Sequence, residues 1–215
     1  MSDTNNFSMY PICDTDIWVN ISLGKMWSEL FARYNKIIIA DVVEGEILKW
    51  NRTNSKFSFI AEKYMEYKEK GNILVINHDQ DILKEDRGIL ERQLYELGSE
   101  NDFKNRPPEN RKGEFVSAIY ADYFMIPLMK RNDNDFQEGG RGKIAFPDLE
   151  VKNWYYTIEE LISDPKMRIN IRRNVDNESR KMSTEKEAFK VRISKNEQDS
   201  ISDMLKKLQS KFNSK

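Results

Sequence analysis

Short apolar runs recur along the chain, and between them apolar positions repeat at helical spacing. The first run, Met9 to Cys13, delivers two acids, Asp14 and Asp16, just past its end. After it Met26, Leu30, Phe31 and Tyr34 predict an amphipathic helix over 24–34. KIIIAD follows, a β-branched run suited to a strand buried on both faces. Asp41 with Glu44 three positions on predicts a helix N-cap and its reciprocal partner, with the helix running to Trp50. Phe57, Ile60, Tyr64 and Tyr67 form another stripe, stopped at Gly71, and NILVIN is the next strand-like run. Leu90, Leu94 and Leu97 predict a helix over 87–97, stopped at Gly98, and the polar, proline-containing stretch after it reads as a long loop. A helix over 113–125, a strand over 126–131, a strand over 149–156 and a helix TIEELI, capped by Thr157 with Glu160, complete the alternation.

Strand alternating with helix implies an α/β fold: a three-layer α/β/α sandwich around a central parallel sheet of about five strands. At 215 residues and 39% apolar, the chain can bury a full core. No apolar run approaches the roughly 18 residues a membrane span requires, so no membrane partner is expected. The opening residues lack a basic start and an apolar signal core, and the one cysteine, Cys13, sits in an apolar run as a small hydrophobe. Those features imply a reducing cytoplasm. Charge divides the chain where its composition changes. Residues 166–215 hold 14 Lys or Arg against 7 Asp or Glu, which leaves the part before them at −8. The expected organisation is therefore a body over 1–164 and a basic, mainly helical C-terminal extension over 165–215.

Four acids stand at comparable places. Asp14 and Asp133 follow strands, while Glu46 and Glu114 lie on helices that enter or follow the sheet, and Asp135 accompanies Asp133. In open α/β sheets, residues beyond the carboxyl ends of the strands face a crevice. Clustered carboxylates repel one another unless cations neutralise them. Oxygen ligands without nearby His or Cys suit Mg²⁺ or Mn²⁺, which support phosphodiester hydrolysis by activating water and taking up charge on the leaving oxygen. Each acid has a bland alternative: an Asx turn or helix cap for Asp14, a dipole-favoured first-turn charge for Glu114, a polar turn for Asp133 and Asp135. His78, in NHDQD, reads as a surface loop histidine. Gly139, Gly140 and Gly142 with Arg141 and Lys143 read as a mobile basic loop without the following helix that a phosphate-binding fingerprint needs.

Over Met9 to Ile162 the chain resembles the PIN domain nucleases, which include VapC-type toxins of toxin–antitoxin pairs. CDTDIW is similar to the family's opening strand motif, IADVVEGEIL to the segment carrying its second acid, KGEFVSAIYA to that carrying the third and RNDNDF to that carrying the fourth. The resemblance implies an endoribonuclease in which Asp14, Glu46, Glu114 and Asp133 are catalytic and, with Asp135, hold Mg²⁺ or Mn²⁺. It implies a single-stranded RNA substrate in a toxin or defence role, with an antitoxin, another protein or a second copy as candidate partners. Asp16 stands where the family often has Asn, either as a further ligand or as a turn residue. Arg131 stands where Ser or Thr is usual and could meet a substrate phosphate, as could Lys166, Arg168, Arg172 and Arg173 in the basic extension. Two other readings remain. One is a catalytically silent PIN-like module that binds RNA or protein. The other is a haloacid dehalogenase-type phosphatase with Asp14 as nucleophile and Asp16 as acid–base, which lacks the threonine that usually follows that motif.

Overall fold

The computed structural model describes residues 7–53, 56–97, 112–130 and 134–185. The chain divides into two compact units, 1–172 and 173–215. In the first, β1 (Ile12–Cys13) leads into α1 (Thr15–Gly24) and α2 (Trp27–Tyr34), then β2 (Ile37–Ala40), α3 (Asp41–Leu48), α4 (Phe59–Glu69) and β3 (Ile73–Ile76). There follow α5 (His78–Asp81), α6 (Lys84–Glu96), α7 (Lys112–Tyr123), β4 (Leu128–Lys130), α8 (Arg141–Ala145), β5 (Val151–Asn153) and α9 (Trp154–Leu161). Residues 165–172 are helical, and in the second unit so are 173–185.

All five strands are parallel, in the order β3-β2-β1-β4-β5. Parallel connections are right-handed, so moving outward from β1 in both directions covers both faces of the sheet with helices and produces the expected three-layer α/β/α sandwich. Ile12, Cys13 and the whole of β2 are fully buried, as strands covered on both faces must be. Register pairs Ile12 with Ile38 on one side and Cys13 with Met129 on the other. The chain reverses its direction of travel at β1, and the crevice this opens lies beyond the carboxyl ends of β1 and β4. Trp18 on α1 braces this centre, donating its indole N–H to Ile60 O at 3.0 Å and packing edge-to-face on Tyr64.

Several local expectations are corrected by tertiary contacts. A helix over 15–24 directly follows β1, and Lys25 in the left-handed conformation (φ 55°) ends it, so the helix expected over 24–34 starts only at Trp27, as α2. Ala40 rather than Asp41 is the N-cap of α3, and Glu44 turns outward to accept from Tyr64 Oη at 2.9 Å and pair with Lys68. His78 is buried, not a surface loop residue: it opens α5, stacks on Tyr120 at 6.3 Å and lies 3.4 Å from Glu91. Burial pulls its imidazole below the ordinary value, against the opposing pull of Glu91 and Asp41. The glycine-rich stretch does carry a following helix, α8, because Gly142 lets the backbone lie on Phe136; a Cβ there would come within 2.7 Å of the ring. The last strand is shorter than 149–156: Asn153 caps α9 by accepting from Tyr156 N at 2.9 Å, so Thr157 is a buried interior residue of the helix.

Candidate functional site

Each expected acid is positioned by a different element. Asp14 sits one residue past β1, its N–H donating to Met129 O at 2.9 Å, and its side chain caps α1 by accepting from Thr15 N at 2.8 Å. The capping alternative for this residue is thus realised, but it uses one hydrogen bond on a buried carboxylate. Glu46 projects from the second turn of α3 and accepts from the Thr15 hydroxyl. Its other oxygen lies against α7, only 2.9 Å from where a Cβ on Gly113 would be. Glu114, the next residue, is buried in the first turn of α7, where the helix dipole favours a carboxylate. It accepts a charged hydrogen bond from Lys130 Nζ. Lys130 ends β4, one position beyond the Cys13–Met129 pair and so alongside Asp14.

Two side-chain bonds join elements here, Thr15 to Glu46 and Lys130 to Glu114, while Glu46 lies beside Gly113 and Lys130 follows Met129 alongside Asp14 by strand register. Asp135 is buried just after β4, with Arg141 Nε 4.0 Å away, and the adjacent Phe136 ring lies 4.6 Å beneath the Lys130 ammonium. Asp133 and Arg131 lie outside the described residues. Asp16 is exposed in the first turn of α1.

The electrostatics are dominated by Asp14. Burial pushes its carboxyl up to about 8; repulsion from Asp16 and Glu114 adds to this, while Lys130 and the Thr15 N–H oppose it. In the metal-free chain burial and the neighbouring acids thus favour the protonated form of Asp14. Cys13, fully buried, has its thiol raised by burial and by the Asp14 charge, which suits the packing role expected of it.

In kind, carboxylates are the donors a hard divalent cation takes, and Asp14 carries a charge that burial disfavours and a cation would relieve. Yet in the present side-chain arrangement, no group of three or more His, Cys, Asp or Glu among the described residues is placed to hold a metal. The bonds to Thr15 and Lys130 are part of that arrangement. Thr15, Gly113 and Lys130 were not picked out in the sequence. Their signals are modest: a hydroxyl next to the strand-end Asp, a glycine before the helix acid, and a lysine ending an otherwise apolar strand.

The basic residues expected to meet substrate divide. Arg168 is committed elsewhere: it donates to Ile162 O at 2.7 Å and Ser163 O at 3.0 Å and pairs with Glu159, closing the carbonyl end of α9. The Arg172 guanidinium lies over the Tyr155 ring at 5.3 Å, and Lys166 is exposed. Arg173 is exposed in the second unit. Among the described residues no helix is long and apolar enough to cross a membrane.

The class these observations define is a parallel α/β/α protein with an acidic, lysine-containing site at the switch point of its sheet. No family model, curated protein or solved structure matches the chain, so the resemblance to PIN domain nucleases rests on its residues alone.

Proposed function

We propose that the protein is a metal-dependent endoribonuclease whose site is built by Asp14, Glu46 and Glu114, with Asp133 and Asp135 completing it. The observation that supports this reading best is that three acids separated by 32 and 68 positions in the chain each neighbour residues at the ends of β1 and β4: Asp14 feels the charges of Glu114 and Lys130, Glu114 is paired with Lys130, and Glu46 is held by Thr15, next to Asp14. A core built for stability alone would not gather buried carboxylates where one must be protonated to be tolerated. Asp14, Glu46, Glu114 and Asp135 would hold Mg²⁺ or Mn²⁺, which when bound supplies activation of water and stabilisation of negative charge on phosphate oxygens. Thr15 orients Glu46, Gly113 gives it room, and the α1 N-cap fixes the Asp14 side chain. The preorganised acids, not the basic extension, carry the chemistry. The test is incubation of the purified chain with single-stranded RNA and Mn²⁺: cleavage is expected and should stop in excess EDTA. Cleavage that persists in chelator would overturn a metal-dependent reading.

One observation favours a second reading. The Lys130 ammonium already neutralises Glu114, as a site that had lost its metal would require, and this suits a catalytically silent module binding RNA or protein. RNA binding without cleavage in either Mg²⁺ or Mn²⁺ would select it.

A further inference from the structure

The first turn of α9 carries two adjacent tyrosines, Tyr155 and Tyr156, that leave 49% and 50% of their surface exposed. Helix formation does not call for them there: Tyr is a middling helix former, and a first turn favours acids, of which this one has none. Neighbours in sequence lie about 100° apart around a helix, so the two rings look out on different sides. Tyr155 shares a side with Glu159, toward the helix 165–172: the Arg172 guanidinium stands 5.3 Å from its ring centroid, and Arg168 pairs with Glu159. Tyr156 shares the other side with Glu160, toward α2, and Lys152 Nζ stands 5.6 Å from its ring centroid. The acids on both sides are met, Glu159 by Arg168 and Glu160 by Lys152 and Arg33. Each ring thus combines open aromatic surface with a cation beside it.

The place of the rings matters as much as their exposure. Asn153, which ends β5 and caps α9, pairs in register with Lys130 of β4, and Lys130 stands alongside Asp14 by the register of β4 with β1. The first turn of α9 therefore rises from the same edge of the sheet as Asp14, two strand spacings or about 10 Å away. We propose that Tyr155 and Tyr156 are base-stacking platforms for single-stranded RNA, with Arg172 beside Tyr155 as a cation for the strand's phosphates. The proposal rests on the reading of the substrate as RNA and deepens it, adding a binding surface outside the acids. Stacking on an aromatic ring suits any unpaired base, since every base has a π-face, so this surface holds a strand without reading its sequence. Charge favours a polyanion over a protein as the occupant: the stretch from Lys166 on, which begins in the helix 165–172, carries 14 Lys or Arg against 7 Asp or Glu.

The experiment is fluorescence anisotropy of a labelled oligouridylate of about ten nucleotides, within the span such sites cover, titrated with the full chain in chelator so that the proposed cleavage is stopped. Tyr155→Leu and Tyr156→Leu should each weaken binding by about tenfold, while Tyr155→Phe and Tyr156→Phe, which keep the ring, should bind as the wild type does. Leu variants that bind as tightly as the wild type would overturn the proposal and leave the surface to a protein partner; Phe variants as weak as the Leu variants would overturn it too, since the ring would not be what binds. Hydrolysis of bis(p-nitrophenyl) phosphate by the wild type in Mn²⁺ reads the hydrolase separately. Hydrolysis without RNA binding would overturn the stacking proposal alone, absence of both would overturn the two together, and ring-dependent binding without hydrolysis would uphold stacking in a silent module. Circular dichroism confirms folding. Should the Leu variants fail to fold, ultraviolet crosslinking of the wild type to the same oligomer decides: adducts at Tyr155 or Tyr156 are expected, and adducts confined to other residues would refute the proposal.

Discussion

Asp14 and Asp41 occupy equivalent places, each the first residue after a central parallel strand and each at the start of a helix, yet the fold uses them in opposite ways. Asp41 is saturated with donors. It accepts from Val42 N at 2.8 Å, His78 N at 3.0 Å and Tyr120 Oη at 3.4 Å, and so ties the ends of β2 and β3 to α7. Asp14 accepts from Thr15 N and is otherwise surrounded by Asp16, Glu114 and Lys130. Burial raises both carboxyls, but at Asp41 the donors pull back, whereas at Asp14 neighbouring acids push further. A strand-end Asp can thus be tied down by donors, as Asp41 is, or left among charged neighbours, as Asp14 is, and the proposed reading assigns the second arrangement to metal binding.

The largest effect expected from that contrast is on catalysis. Asp14→Asn keeps the helix cap, since Asn caps as well as Asp, but removes the charge. RNA cleavage should fall by roughly a thousandfold, about 4 kcal/mol in barrier. Asp41→Ala should instead act on stability, with a loss of about 2–4 kcal/mol in denaturant titration as three donors lose their acceptor. If Asp14→Asn proved the more destabilising of the two, the contrast would be inverted.

The pH dependence of the metal-free protein sharpens the comparison further. An Asp titrating near 8 in the fold and near 4 in the unfolded chain holds a proton that unfolding releases. Its favourable contribution is complete below the unfolded value and is lost as pH rises from about 4 through about 8, a decline on the order of a few kcal/mol. Asp41 shifts in the same direction, so Asp14→Asn should flatten the decline without abolishing it. Unfolding free energies measured in chelator across that window check this. An unchanged slope would mean that Asp14 is not the group responsible. A smaller effect is expected at Gly113, whose substitution by Ala would press a Cβ onto Glu46. Ala favours a helix over Gly by up to about 1 kcal/mol, so stability should hold or rise. Cleavage should drop by about tenfold as the Glu46 carboxylate shifts.

The layout of the sheet was legible because KIIIAD and NILVIN are apolar enough to be strands buried on both faces, and because the helical stripes between them have clear periods. The placement of Asp14 just past β1 and of Glu46 and Glu114 on helices was legible through their position relative to those elements. What could not be read was which polar atoms meet across the fold. Glu44 looked like half of a capping box and turned to α4; His78 looked like loop and was drawn under Tyr120 by packing between α5, α6 and α7. Lys130 was invisible for the same reason, since nothing local marks a lysine at a strand end as buried beside Glu114 rather than reaching for solvent. The helix over 15–24 was missed because burial on all sides hides its period: residues 17–23 are buried throughout. Arg168 belonged by charge to the basic extension and by geometry to the end of α9.

The most direct test of the account is the effect of Mn²⁺ on unfolding. A ligand at 100 times its Kd stabilises the fold that binds it by about 2.7 kcal/mol. Saturating Mn²⁺ should therefore raise the denaturant midpoint of the wild type and of Asp41→Ala by comparable amounts and leave Asp14→Asn unmoved. Equal stabilisation of the wild type and Asp14→Asn, or stabilisation of none of the three, would contradict the assignment of the β1 strand end as a divalent-cation site.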